Sequence, residues 1–239
     1  MLTYTVSELP PPAGGDPQAG SDGEDVNADG VAIGSASAIQ MSEAMIWPER
    51  ASPTVLDKPP ATSGWAINDA GDAVGLIQQS GLALPWYWHP FLYRQESGQV
   101  EDFGKQLPDP QSFALDINND GLVTGATGVI SAGGGGLTMR PFLYEGNDGS
   151  VTLLDPLPGH ATAWGFAIND AGHLAGYSAK DDQGQDPRAF IYRDGTMQDL
   201  GPALDVRDVN NADVIAGTAT GAPMSAFRSD PGHWRSEPP

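Results

Sequence analysis

Short apolar segments alternate with polar turns along the chain, and the same order of segments returns five times. Each copy contains an apolar residue followed by Asn: Val26-Asn27, Ile67-Asn68, Ile117-Asn118, Ile168-Asn169 and Val209-Asn210. The Asn residues lie 41, 50, 51 and 41 positions apart. Such a spacing is typical of repeats that each build one supersecondary unit. The chain is therefore predicted to be a repeat protein.

Glycine recurs at fixed distances from each Asn. Seven positions after the Asn it is present in all five copies: Gly34, Gly75, Gly125, Gly176 and Gly217. Three positions after the Asn, four copies have glycine and the last has Asp213. An Asn that opens a turn, with glycine where a positive φ is needed, is typical of a β-hairpin. The segments on either side are predicted to pair as antiparallel strands.

Two further strands are predicted in each copy. The third is rich in aromatic and bulky apolar residues, as in 90–93 and 189–192, which suits a buried sheet. The fourth follows a polar turn, as in 151–154 and 197–200. Four strands in each of five copies predict an all-β fold, a single five-bladed β-propeller of four-stranded antiparallel blades. An open β-solenoid or a pair of sandwiches is the alternative.

The ends of the chain indicate how such a ring closes. The blades are assigned to residues 22–57, 64–104, 113–155, 163–201 and 203–229. The last copy has no convincing fourth strand, whereas the N-terminal segment shows the alternation and the acidic-Leu ending of one. We predict that residues 3–9 complete the last blade, which leaves no open sheet edge between the first and last blades.

Two of the copies resemble a repeat of the bacterial HAF family, named for a His-Ala-Phe tripeptide in the third strand. The matching segments are AINDAG, HPFLY and VEDFG at 66–71, 89–93 and 100–104, and AINDAG, RAFIY and MQDLG at 167–172, 188–192 and 197–201. The likeness extends over residues 4–227, but only His89 keeps the signature histidine; the other copies have Glu43, Arg140, Arg188 and Ser225. The resemblance implies an extracellular or cell-envelope protein and implies no particular chemistry.

Composition excludes several classes of function. The chain has 31 acidic and 11 basic residues, a formal charge of −20 and no cysteine. That charge disfavours nucleic acid and anionic lipid surfaces, and the absence of cysteine excludes disulfides and thiolate chemistry. No apolar stretch is long enough for a membrane helix, and the first residues lack the features of a signal peptide. We expect a soluble monomer without nucleic-acid partner or membrane insertion.

Two of the repeat turns resemble the first half of a calcium-binding loop. Their oxygen-bearing residues stand at alternate positions before a glycine: Asp25, Asn27 and Asp29, and Asp116, Asn118 and Asp120. The position of a bidentate Glu holds Ala36 or Thr127, and the other three copies lack the acidic pair. Backbone requirements of the turn explain all five copies, whereas calcium explains two. Calcium at these two turns is the one cofactor considered.

The loops between the second and third strands are predicted to emerge together on one face, which is typical of a binding side. They span 35–43, 76–89, 126–140, 177–188 and 218–225. One of them carries an aromatic cluster suited to stacking on sugar rings or on a partner protein: Trp86, Tyr87, Trp88 and His89. The alternative is that these rings begin the third strand and pack between blades.

Other candidate contacts lie before and within the fourth copy. His160 and Trp164 come from the link into that copy, and Asp181 and Asp182 lie in its polar loop. Catalytic motifs of the Gly-x-Ser-x-Gly and His-Glu-x-x-His types are absent from the sequence. The predicted function is non-catalytic binding of a glycan or a protein on the loop face. The alternatives are a glycoside hydrolase with paired Asp or Glu at the central depression, and a purely structural interaction module of a bacterial envelope.

Overall fold

A computed structural model of the chain describes residues 8–11, 20–37, 42–49, 51–56, 63–79, 87–130, 136–219 and 225–228. Its regular structure consists of β-strands and one 3₁₀ turn, Phe103–Gln106. None of the helical structure in these ranges is long or apolar enough to span a bilayer. The described part of the chain is thus built from strands, as its residue pattern predicts.

The strands of the first two repeats are β1 (Ser21–Val26), β2 (Ala32–Ser37), β3 (Ser42–Trp47), β4 (Thr54–Val55), β5 (Ser63–Ile67), β6 (Ala73–Gln79), β7 (Tyr87–Arg94) and β8 (Gln99–Asp102). Those of the third repeat are β9 (Gln111–Ile117), β10 (Leu122–Ile130), β11 (Leu137–Glu145) and β12 (Ser150–Leu153). Those of the last two are β13 (Thr162–Ile168), β14 (Leu174–Ala179), β15 (Arg188–Arg193), β16 (Thr196–Val209), β17 (Val214–Ala219) and β18 (Ser225–Arg228).

Antiparallel pairing groups these strands into five consecutive units, one for each sequence repeat. The first unit has the order β1-β2-β3-β4, and the second and third units repeat it with β5–β8 and β9–β12. In the fourth unit the first half of the long strand β16 pairs with β15 as the fourth strand. The second half of β16 pairs with β17 and is the first strand of the fifth unit.

The repeat Asn closes its own turn and also binds the next unit. In the third unit, Asn118 Oδ1 accepts the N–H groups of Asp120 and Leu122 at 3.1 and 2.9 Å. Its Nδ2 donates to the carbonyl of Asn169 in the fourth unit at 3.0 Å. The same bond to the next unit is made at 3.0 Å by three other residues: Asn27, Asn68 and Asn169. A row of asparagine side chains therefore joins the five units through hydrogen bonds between their repeat turns.

The residue three positions after the Asn has a left-handed backbone conformation in every unit. The four glycines here have φ values from 74° to 83°: Gly30, Gly71, Gly121 and Gly172. In the fifth unit Asp213 adopts φ 56°, a conformation that short polar side chains tolerate better than most. Its carboxylate accepts hydrogen bonds from Asn169 Nδ2 and pairs with His173 Nδ1, at 2.9 and 2.7 Å. The departure from glycine in this copy thus adds a polar contact between the fourth and fifth units.

A β-bulge in the first strand of each unit explains the second recurring glycine. The strand register skips one residue, three positions before the Asn: Glu24, Trp65, Leu115, Phe166 and Arg207. The bulge presses a first-strand carbonyl oxygen toward the glycine of the second strand. A Cβ added at Gly34, Gly75, Gly125, Gly176 or Gly217 would lie between 1.8 and 2.3 Å from that oxygen. Only glycine leaves room for this carbonyl.

Aspartates two positions before the Asn hold neighbouring first strands together. Asp25 accepts the N–H groups of Val26 and, in the next unit, of Ile67 at 2.8 and 2.9 Å. Asp116 accepts the two corresponding N–H groups at 2.8 and 2.7 Å. Asp208 makes the bond within its own unit at 2.7 Å. The remaining two units have alanine at this position, Ala66 and Ala167, because one carboxylate serves two adjacent units.

The apolar core lies between consecutive units rather than within a single sheet. Ile33 of the first unit and Phe91 of the second belong to one buried cluster. At the next junction Phe103 stacks on Tyr144, with ring centroids 4.1 Å apart and planes 6° from parallel. Each unit is therefore stabilised by its neighbours, since a single four-stranded sheet cannot bury both of its faces.

The first unit differs from the next three at the residue before its Asn. Val26 is 61% exposed, whereas Ile67, Ile117 and Ile168 at the equivalent positions are each 5% exposed. The predicted closing strand, residues 3–9, lies outside the described residues except for its last two positions. Of these, Leu9 packs against the apolar cluster of the first unit.

We predict that Gly176→Ala strongly destabilises the protein. Its new Cβ would lie 1.9 Å from the carbonyl oxygen of Trp164, so the bulge must shift. We expect a loss of about 3 kcal/mol in the free energy of unfolding, measured by urea titration. Gly20→Ala is the control, because its added Cβ meets no atom within 4 Å. Equal stability of the two variants would contradict the role assigned to the bulge.

A second prediction concerns Asp116. Burial raises the pKa of its carboxyl from 3.8 to about 7, the N–H groups of Ile168 and Ile117 oppose the shift, and the charges of Asp25 and Asp208 add to it. Between these pH values the folded state keeps a proton that the unfolded chain has lost. The contribution of this group to stability is therefore largest near pH 4 and falls by roughly 1.4 kcal/mol per pH unit until pH 7.

Urea titrations at pH 4.5, 6 and 7.5 of the natural protein and Asp116→Asn measure this effect. As the pH rises, the natural protein should lose stability relative to Asp116→Asn. Asp120→Asn, which removes the same charge from an exposed turn residue of the same unit, should show no such trend. A difference for Asp116→Asn that stays constant with pH would show that this carboxyl does not titrate in the window.

Candidate functional site

The axis of the molecule has a polar end and an aromatic end. At the polar end, the turns of all five units surround a depression of about 300 Å³. Its polar groups bind one another: the N–H of Asp69 donates to Asn119 Oδ1 at 2.9 Å, and the N–H of Asn119 donates to Asp170 Oδ1 at 3.1 Å. These bonds join neighbouring units, so the polar groups of the depression primarily hold the units together.

The aromatic end carries the loops between second and third strands, since in each hairpin they lie opposite the Asn turn. A cavity of about 500 Å³ opens there. We call it the aromatic cleft, and its lining residues are Trp65, Leu115, Gly136, Leu137, Thr162, Trp164, Phe166, Tyr177, Asp181, Asp182 and Gly184. Three units contribute first-strand side chains to it, and two of the variable loops form its rim.

Three aromatic rings line the aromatic cleft, and a fourth, that of Phe113, continues the array beside it. Trp164 and Phe166 have nearly parallel planes, 10° apart, with centroids separated by 6.0 Å. Phe166 and Tyr177 are also nearly parallel, at 12° and 5.7 Å. Phe113 extends the array from the third unit, 5.4 Å from Trp164. All four residues are half-buried, so part of each remains available to a ligand.

The bulges aim side chains into the aromatic cleft. Trp65, Leu115 and Phe166 are the bulged residues of the second, third and fourth units, and all three line the cavity. A bulged residue has no partner in the strand pairing, and its side chain departs from the usual alternation between the two faces of the sheet. The bulge requires glycine on the second strand. It thus also places apolar side chains in the lining of the aromatic cleft.

The rim of the aromatic cleft is acidic and well ordered by its own hydrogen bonds. Asp181 Oδ1 accepts the N–H groups of Gln183 and Gln185 at 3.1 and 2.9 Å, which closes the loop. Asp182 packs against the loop of the third unit, because a Cβ at Gly136 would lie 2.6 Å from its Cγ. Two loops that are distant in sequence therefore meet at the rim.

The electrostatic field of this region is negative. Burial raises the pKa of the Tyr177 hydroxyl, and the charge of Asp205 raises it further. No Lys, Arg or His is among the described residues that line the cleft. Tyr177 therefore stays neutral and can donate or accept a hydrogen bond through its hydroxyl.

The structure brings three of the predicted site residues together and places others elsewhere. Trp164, Asp181 and Asp182 line the aromatic cleft. Trp86 lies outside the described residues. Tyr87, Trp88 and His89 belong to β7 and are half-buried, which corresponds to the alternative in which these rings begin the third strand. His89 Nδ1 lies 3.0 Å from Asp102 Oδ1, and its ring packs against Gly104.

His160 lines a different cavity, of about 480 Å³, together with Lys180 and Arg188. Its Nδ1 lies 3.0 Å from the buried Oγ of Ser178. Although His160 is four positions from Trp164 in sequence, the two residues serve different surfaces. The separation arises because Trp164 is on the first strand of the fourth unit, whereas His160 is in the link before it.

Four of the six predicted calcium ligands accept backbone hydrogen bonds through their side-chain oxygens: Asp25, Asn27, Asp116 and Asn118. Asn27 Oδ1 accepts the N–H groups of Asp29 and Val31, and the carboxylates of Asp25 and Asp116 accept those of the first strands. In the part of the chain that the structure describes, no three His, Asp or Glu side chains gather as a metal site would require. Calcium binding at these turns stays a prediction.

Sequence reasoning missed Trp65, Phe113, Leu115, Phe166 and Tyr177. A signal for three of them was present, because Trp65, Leu115 and Phe166 share the position three before the repeat Asn. Recognising the bulge from the recurring glycine would have identified them as a group. Tyr177 lies on the second strand and carries no such positional signal.

Comparisons with known proteins bear on the fold. No protein-family model matches the chain, and no curated protein matches its sequence. Its structure is similar to that of TolB from Acinetobacter baumannii, with a TM-score of 0.54 and 14% identity over 86% of this chain and 51% of that chain. The chain thus spans about half the length of this TolB. The β-propeller domain of the Trilobed protease from Pyrococcus furiosus matches with a TM-score of 0.42 and 10% identity over 90% of this chain and 84% of that one.

The strands of the described residues and the similarity to TolB together confirm the prediction of an all-β, propeller-like fold. The number of blades, the closure of the ring and the resemblance to the HAF family stay predictions. At this level of identity the likeness concerns the fold alone. This chain is therefore a β-propeller protein whose candidate ligand site is the aromatic cleft.

Proposed function

We propose that this protein is a non-catalytic binding propeller that holds a glycan in the aromatic cleft. The observation that carries the proposal is the half-buried array of Phe113, Trp164, Phe166 and Tyr177 beside a 500 Å³ cavity with two carboxylates on its rim. A concave apolar surface with a few polar groups is the usual form of a small-ligand site.

The chemistry of the wall and the rim suits a carbohydrate. Aromatic rings present flat apolar surfaces on which the C–H faces of a sugar can stack, and the Tyr177 hydroxyl adds a polar handle. Carboxylates such as those of Asp181 and Asp182 accept hydrogen bonds from sugar hydroxyls. A protein ligand, the other class that the loop face would suit, is tested by the same variants.

Catalysis is not part of the proposal because the central carboxylates have structural partners. The oxygens of Asp25 and Asp116 accept backbone N–H groups of adjacent units. A glycoside hydrolase needs two carboxyl groups about 5 to 10 Å apart that face the scissile bond. We also infer, from the HAF resemblance, that binding takes place outside the cell or in its envelope, and that the protein acts as a monomer.

We further propose that the five units are the blades of one ring, closed when residues 3–9 pair with β18. Residues at the ends of fourth strands pack on the following unit, as Leu56, Phe103 and Leu154 do. Leu9 packs in the same way on Met45 and its neighbours in the first unit. In addition, Trp47 Nε1 donates a hydrogen bond to the carbonyl of Pro10 at 2.8 Å. Leu9 therefore has the contacts expected of a residue that leaves the last blade.

The two candidate platforms can be separated by a pair of tryptophan variants. We expect Trp164→Ala to lower affinity for a bound glycan roughly 5- to 30-fold, because stacking on an aromatic ring contributes about 1 to 2 kcal/mol. Trp88→Ala, in β7, should leave affinity unchanged. A glycan-array screen followed by calorimetry with the best ligand measures both, and a run with chelator tests the calcium turns.

Three results would overturn the proposed function. One is the absence of any glycan ligand, with capture of a protein instead. Another is loss of glycan binding in Trp88→Ala with full binding in Trp164→Ala, which would move the site to β7. The third is release of reducing ends from the bound polysaccharide, which would make the protein an enzyme.

Closure of the ring is tested by deleting residues 1–7, which keeps the contacts of Leu9 and Pro10. If these residues complete the last blade, the truncated protein loses one strand and the melting temperature falls by about 10 °C or more. Substituting the exposed residue Glu8 with Ala is the control and should leave the melting temperature within about 2 °C. A truncated protein that melts with the parent would mean that the ring closes differently.

A further inference from the structure

The charges around the aromatic cleft restrict the ligands that it can take. Among the described residues, the charged ones that line it are Asp181 and Asp182, and both are acidic. Because the whole chain carries a formal charge of −20, the surrounding field does not offset them. An anionic sugar would meet like charge at the rim, whereas a cation would be attracted.

Two basic residues of neighbouring segments pair with other carboxylates. Lys180 precedes Asp181 in sequence, but its Nζ pairs with Asp186 Oδ2 at 2.8 Å. It lines the separate cavity that contains His160. Arg207, the bulged residue of the fifth unit, forms an ion pair with Asp205. Neither of these two cations is among the described residues that line the aromatic cleft.

The aromatic array adds a second attraction for positive charge. A cation near the face of a Trp or Tyr ring is stabilised by the ring quadrupole. Trp164, Phe166 and Tyr177 line the same cavity as Asp181 and Asp182. Aromatic rings and carboxylates that line one cavity are the combination that recognises an ammonium group attached to an apolar frame.

We infer that the natural ligand of the aromatic cleft is an amine-bearing glycan, an oligosaccharide whose amino sugars are not acetylated. This inference rests on the proposed function and names the class of its ligand. The sugar rings stack on the aromatic wall while their ammonium groups approach Asp181 and Asp182. Neutral N-acetylated sugars keep the stacking and lose the charge contribution, and uronic acids are excluded by repulsion.

The test compares two ligands of one backbone, glucosamine oligomers and N-acetylglucosamine oligomers of the same length, by calorimetry at pH 5.5. The amine form should bind at least tenfold more tightly, and the preference should shrink as salt is added. The double variant Asp181→Asn, Asp182→Asn keeps the shape and the loop-closing oxygen, and should lose most of the preference. Asp148→Asn, Asp194→Asn removes the same charge from outer turns and should keep it.

The outcomes separate this inference from the proposed function. Equal binding of both oligomers that depends on Trp164 would overturn the amine preference and leave glycan binding intact. Binding of neither oligomer, with none of any other glycan, would overturn both. Binding of oligolysine as tight as that of the amine oligomer, and equally sensitive to Trp164→Ala, would show that a basic peptide is the ligand and would overturn the carbohydrate assignment.

Discussion

The structure depends on an asparagine side chain that makes two kinds of hydrogen bond at once. Its oxygen accepts the N–H groups of its own turn, and its nitrogen donates to the same residue of the next unit at 3.0 Å. Three of these side chains are less than 5% exposed, and in that setting an unmade bond would be costly. Neither Asp nor Ser could replace Asn, because neither provides both an acceptor and an amide donor. One side chain thus stabilises both the local turn and the assembly of the units.

The binding surface follows from a deformation that every unit shares. The bulge of the first strand demands glycine opposite it and, in three units, places a side chain in the aromatic cleft. In the second, third and fourth units these side chains are Trp65, Leu115 and Phe166, and they form part of the aromatic cleft. The scaffold therefore provides a set of equivalent positions whose chemistry can vary without disturbing the fold, which is how repeat architectures commonly acquire ligand sites.

The fold could be predicted from sequence more fully than the site. The periodic Asn and Gly residues specify turns through local backbone geometry, so five units and their strands follow from spacing alone. Asp181 and Asp182 were identified because they lie in a variable polar loop, and Trp164 because it follows the link into the fourth copy. Trp65 and Phe166 were missed because they lie inside strands, where alternation assigns large rings to the core. The cluster around Trp88 attracted attention through its density, although density alone does not distinguish a platform from the start of a buried strand.

Aspartate and alanine alternate from unit to unit at the position two before the repeat Asn, and this alternation restricts how units can be gained or lost. Each carboxylate can bond to the first strand of its own unit and to that of the next. Strict alternation of aspartate and alanine therefore gives every inner unit a carboxylate partner. Asp208 of the fifth unit makes this bond within its own unit, and the first unit begins with an aspartate of its own, Asp25. Gain or loss of an aspartate unit together with an alanine unit would preserve the sharing. Loss of a single inner unit would instead place two aspartates or two alanines in adjacent units.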